Sequence, residues 1–136
     1  MVIGIDITYF RWHQPSVILQ ILAIPLYLFA LFLILLSMRS NPYFEGTARI
    51  QKERHQKVII DGPYRIVRHL GYLGMIIGTL SSPLIARSTL ALFVSMLSVA
   101  IVIKRTDLED KMLEEELEGY KIYRRLTRYR LFPRVW

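Results

Sequence analysis

Arg65, Arg68, His69 and Tyr72 stand in a run, residues 62–74, that closes a basic loop and leads straight into the apolar segment Met75–Ile85. A helix starting at about Arg65 would set these four at i, i+3, i+4 and i+7, on one face. Guanidiniums grip anions in bidentate fashion, an imidazole exchanges a proton near neutral pH, and a phenol hydrogen-bonds a ligand. Ionisable groups at the mouth of an apolar span line a cavity or meet a polar partner, because lipid cannot solvate them. The competing reading is a membrane helix whose basic residues snorkel to the headgroups and whose Tyr72 sits in the aromatic belt.

The elements that must carry these residues follow from where charge is missing. From Val17 to Leu36 there are twenty uncharged residues, enough to cross a hydrocarbon core about 30 Å thick. From Leu70 to Ile103 the only charged residue is Arg87, and Ser81-Ser82-Pro83 and Arg87-Ser88 interrupt the run. The expected spans are therefore 17–37 and a tight hairpin, 70–85 and 88–103, with short arms that bend or thin the membrane. Seven of the eighteen Lys and Arg fall in 39–69 and nine in 104–136. Three crossings put both segments on one side, which the positive-inside rule makes cytoplasmic, with the N-terminus and the Arg87 turn outside. The expected fold class is an all-α integral membrane protein of about three transmembrane helices, one plus the hairpin, with a cytoplasmic C-terminal amphipathic helix. It reads as a single multi-pass domain, 1–136, cytoplasmic over 38–69 and 104–136.

Outside the spans, Asp6, Arg11, Trp12 and His13 suit an outer interface, and Met1–His13 lacks the layout of a cleavable signal peptide. Pro25 is expected to kink the first span. Thr47–Lys57 reads as a short surface helix before the turn at Asp61-Gly62-Pro63. Thr106–Arg125 reads as a charged helix, acidic first and basic last, in the order the helix dipole favours. Leu113, Leu117, Tyr120 and Tyr123 form its packing stripe, which Glu109 and Glu116 extend, while Glu114 and Glu115 face solvent. Glu109 stands next to the end of a span, on the side that also presents Arg68 and His69.

Composition narrows the function classes. With 53% hydrophobic residues and a net charge of +7, the chain combines features typical of a small membrane protein. Headgroup contact and topology account for the charge, so no nucleic-acid partner is expected. The absence of cysteine excludes disulfides, thiolate metal sites and a Cys nucleophile. His13, His55 and His69 have no further ligand at metal-binding spacing, so no metal is expected.

Taken in order, Gly62-Pro63-Tyr64, Arg68-His69-Leu70-Gly71-Tyr72-Leu73-Gly74, Arg105, Glu109-Asp110, Leu113, Gly119-Tyr120, Tyr123 and Arg128–Pro133 resemble the signature of the isoprenylcysteine carboxyl methyltransferase family and its phospholipid methyltransferase relatives. The likeness covers about 41–136. Leu70 replaces the motif's proline, and the chain is shorter than typical members by one or two N-terminal spans. The resemblance implies a membrane enzyme that binds S-adenosylmethionine in a cytoplasmic pocket, which fits the lack of a G-x-G-x-x-G after a strand. An amphipathic lipid or prenyl-type acceptor, a carboxylate or an amine, would reach it from the bilayer. It further implies Arg68, His69 and Arg128 as catalytic residues. Tyr64, His69, Tyr72, Gly74, Glu109, Tyr120 and Tyr123 are implied as cofactor-binding. Glu109 would hold the ribose hydroxyls or the amino group, and Arg68 or Arg128 a carboxylate. Tyr120 and Tyr123 would pack on adenine or serve helix packing, and His69 would be the base for an amine acceptor.

Two other functions compete. Membrane sterol reductases resemble the hairpin and its Arg-His element but use a nicotinamide cofactor and have more spans. A degenerate membrane subunit without activity is the other, favoured by Leu70 and the missing spans and disfavoured by the retained Arg68, His69, Glu109 and paired tyrosines.

Overall fold

The computed structural model describes Gly4 and residues 14–47 and 49–136, so the lead at Asp6, Arg11, Trp12 and His13 lies outside the described residues. Beyond the lead, four helices follow: α1 (Val17–Ser40), α2 (Leu70–Ile85), α3 (Thr89–Glu116) and α4 (Tyr120–Leu126). Among the described residues there is no sheet, only a parallel bridge between Val67 and Tyr129. α1 and α3 are long and apolar enough to cross a membrane, and α2 is a shorter apolar helix.

α1 starts where the Ser16 hydroxyl accepts the Leu19 amide, and it runs on through Pro25. It meets α2 through small residues. Ala23, Ala30 and Ser37 are buried on one side, and Gly71, Gly74 and Ser81 on the other. A Cβ on Gly74 would lie 2.9 Å from the Ala30 carbonyl and 2.8 Å from Ile34 Cγ1, so the two backbones nearly touch. The remaining apolar surface points outward: Leu22 is 62% exposed on α1 and Leu97 69% exposed on α3. A helix in the core of a soluble domain would bury such residues.

The α2–α3 turn is pinned to the start of α1. Arg87 Nε donates to the Pro15 carbonyl at 2.9 Å, and Gln20 Nε2 to the Ile85 carbonyl at 2.9 Å. Ser88 caps α3 by accepting the Ala91 amide. The two basic segments gather at the opposite end of the helices, where Arg68 and His69 meet Asp110 and the chain after α4.

Three expectations change. First, no helix begins at Arg65. Gly62–Arg65 is a 3-10 turn and α2 opens at Leu70, because the Arg68 and His69 amides donate to the Tyr129 and Arg130 carbonyls, both at 3.0 Å. Arg65, Arg68, His69 and Tyr72 therefore share no helix face, and Arg65 pairs with Asp61 at the surface. Second, the 88–103 arm and the charged helix are one element. Lys104–Glu116 contains only residues compatible with a helix, and the break comes at Gly119, whose φ of +83° favours glycine. The buried stripe of this segment is Thr106, Asp110 and Leu117, with Leu113 packed beside it, while Glu116 is exposed. Third, the expected surface helix at 47–57 is reduced to a 3-10 turn, Lys52–Arg54. Its loop is held by the buried Gln51, which donates to the Tyr43 carbonyl at 2.8 Å.

Candidate functional site

Asp110 is the hub of the polar end. α3 carries it one turn past Thr106, on the face turned to α2 and α4, where it is fully buried. Its Oδ1 accepts from Arg68 Nε at 2.9 Å and from the Tyr120 hydroxyl at 2.7 Å, and lies 3.0 Å from His69 Nε2. Its Oδ2 accepts from Arg68 Nη2 at 2.8 Å and Arg130 Nε at 3.0 Å. Arg68 Nη1 donates to the Thr127 and Arg128 carbonyls at 2.7 and 2.9 Å. Burial alone would raise the Asp110 carboxyl, but the hydrogen bonds from His69, Arg68 and Tyr120 hold it well below the usual carboxylate range. Burial and the neighbouring Asp110 charge push the Tyr120 phenol up, and burial does the same at Tyr123. The network thus consists of an ionised carboxylate, guanidiniums and neutral phenols.

Beside this hub is a cavity of about 290 Å³, near the lower end of the ~300–1,000 Å³ range of ligand sites. Ile34 and Ser37 of α1, Gly71, Tyr72 and Met75 of α2, and Arg105, Glu109 and Met112 of α3 line it, and the 41–60 loop adds Phe44, Glu45 and Arg49 to its wall. The Tyr72 hydroxyl donates to Glu109 Oε2 at 2.5 Å, which among the described residues leaves Glu109 Oε1 without a protein partner. The Arg105 guanidinium lies 5.6 Å from the Tyr72 ring centre and donates to the Gly46 carbonyl of the loop. A shallower groove along α3, with Ile101, Lys104 and Leu108, shares Arg105, Glu109 and Met112 with the cavity. The polar wall is therefore continuous with apolar helix surface.

The expected site residues separate into three groups. Tyr72 and Glu109 meet directly in the cavity, and Tyr64, Arg68, His69, Tyr120 and Tyr123 also line it. Within that set Arg68 spends four of its five N–H bonds on Asp110 and two carbonyls, so it braces the wall. Tyr123 donates to the Tyr64 carbonyl at 2.7 Å, and Tyr64 shares a 2.6 Å hydrogen bond with Ser37, so both also tie elements together. Gly74 is turned to α1, and the Arg128 side chain is exposed while its carbonyl receives Arg68. Asp110, Arg105 and Arg130 carry more of the network than the sequence reading gave them. The signal for Asp110 was the period 106–110–113–117, which puts it rather than Glu109 on the packing face. Among the described residues no three His, Cys, Asp or Glu cluster as a metal site.

The isoprenylcysteine carboxyl methyltransferase (ICMT) family model matches residues 24–115. That span contains α1 from Ile24 onward, α2, the 41–60 loop, and α3 through Glu115, hence the cavity's α-helical walls and Asp110. No curated protein and no solved structure matches the chain.

Proposed function

We propose, because the chain belongs to the isoprenylcysteine carboxyl methyltransferase family, that it is an integral membrane methyltransferase that uses S-adenosylmethionine to methylate a lipid-like or prenyl-type acceptor. The observation that carries this reading is the Glu109–Tyr72–Arg105 wall, set between the cavity and the apolar outer face of α3. In this reading the apolar spans are α1, α2 and α3 up to Ile103. Lys104–Trp136 and the 41–60 loop lie in the cytoplasm, where the excess of Lys and Arg belongs.

The cavity's side chains suit the cofactor. Glu109, with one oxygen free, offers an acceptor to an ammonium or a ribose diol. Arg105 and Arg49 offer donors to a carboxylate, and Phe44 and Tyr72 offer flat faces to adenine. S-adenosylmethionine supplies a methyl group activated by its sulfonium. The protein's work is then to orient both reactants and exclude water. Asp110 fixes Arg68 and His69, and through them the cavity wall. If the acceptor is an amine, His69 is the base: in the tautomer that donates Nε2–H to Asp110, Nδ1 would take the proton. A prenyl or acyl chain would lie along Ile101 and Leu108, with its polar head at Glu109 and Arg105.

Detergent-purified protein given methyl-labelled cofactor and either a prenylcysteine acid or a phosphatidylethanolamine tests the assignment. Label in one lipid product supports it. Label in neither, with the cofactor bound, favours the inactive-subunit alternative.

A further inference from the structure

Residues 119–136 hold six basic side chains and no acidic one. Two are absorbed within the protein, Arg124 by Glu114 and Arg130 by Asp107 and Asp110. Among the described residues Arg125, Arg128 and Arg134 have no carboxylate partner, and large apolar side chains stand out beside them: Leu126 is 75% exposed and Val135 80%. A soluble surface rarely combines unpaired arginines with such apolar exposure.

The fold fixes the level at which this segment sits. Tyr129 bridges to Val67 and packs against the cluster of Leu33, Val67 and Leu70, where α1 ends and α2 begins. Cations, exposed apolar side chains and a position at the end of apolar helices together match one surface, an anionic bilayer interface.

We propose that the segment from Arg125 to Val135 docks on the acidic phospholipid headgroups of the bilayer that holds the helices, with Arg125, Arg128 and Arg134 on phosphates and Leu126 and Val135 in the acyl boundary. This rests on the membrane part of the reading above. It has a consequence for the site, because the Tyr129 and Arg130 carbonyls receive the Arg68 and His69 amides, and Arg130 grips Asp110. Lipid docking braces the cavity wall from behind.

The cysteine-free chain allows the test by single labels. An environment-sensitive fluorophore is placed at Val135→Cys, and separately at Leu28→Cys in the middle of α1. The full chain is reconstituted in nanodiscs of phosphatidylcholine alone or with about a third phosphatidylserine. The label at 135 should brighten roughly twofold or more in the acidic discs, and lose that gain with Arg125, Arg128 and Arg134 all changed to Gln or in ~1 M salt. An equal signal at 135 in both lipids, with the label at 28 buried in both, overturns the docking surface. A label at 28 that stays in water overturns the membrane reading itself.

Discussion

Asp110 and Glu109 are neighbours in sequence with different duties. Asp110 is enclosed and saturated, whereas Glu109 meets only the Tyr72 hydroxyl among the described residues. Asp110→Asn would leave two guanidiniums facing a neutral amide in a buried site, at a cost of about 3–5 kcal/mol, read as a lowered thermal midpoint in detergent. Its folded-state carboxyl is depressed, so its contribution is fully present above the unfolded value of about 4 and fades as the pH falls below it. The gap between wild type and Asp110→Asn should therefore close on acidification. A constant gap would mean that the charge is irrelevant. Arg68→Lys keeps a cation but loses the planar fork, and should also destabilise the protein. Glu109→Gln, in contrast, should spare stability and weaken cofactor binding by about 1.5–3 kcal/mol, with Glu115→Gln unchanged by calorimetry. Equal effects at 109 and 115 would remove Glu109 from the site. The sequence reading named Glu109, Arg68, His69 and Tyr72, which line one cavity although not on one helix face, but it did not name the hub. The partners of Asp110 come from segments about forty residues before it and up to twenty after it, and no local period connects them.

At the level of elements, the two apolar helices that bound the site were legible because uncharged runs end at polar signals, Arg39 to Asn41-Pro42 for α1 and Arg87-Ser88 for α2. The 70–85 arm was legible to its first residue, but the non-helical run before it was not, since the conformation of residues 66–69 is decided by pairing with residues 129–130. The joined helix α3 was missed because a change from apolar to charged composition looks like a boundary, although helix propensity continues across it. The α1–α2 contact gives an internal comparison. Gly74→Ala adds a methyl within 2.9 Å of a backbone oxygen and should cost about 1–3 kcal/mol, whereas the same change at Gly78 meets only the Ala30 methyl at 3.5 Å. Thermal unfolding of the two variants in one detergent decides it. Equal midpoints would mean that the helices separate without penalty.

For the whole molecule, the structure joins the start of α1 to the Arg87 turn and gathers both basic segments at the other end. Cysteines at Gln14 and Glu115, both exposed, should accordingly label from opposite faces of intact cells, and labelling from one face would refute the spanning arrangement. The proposed function rests on S-adenosylmethionine as the cofactor, and that is the claim on which the rest depends. Its most direct measurement is calorimetric titration of the detergent-purified chain with S-adenosylmethionine, with NADPH as competitor. The expected result is saturable binding of one cofactor per chain, undisturbed by NADPH and weakened about tenfold or more by Glu109→Gln. Binding of NADPH in its place, or no binding of S-adenosylmethionine by a folded protein, would contradict it.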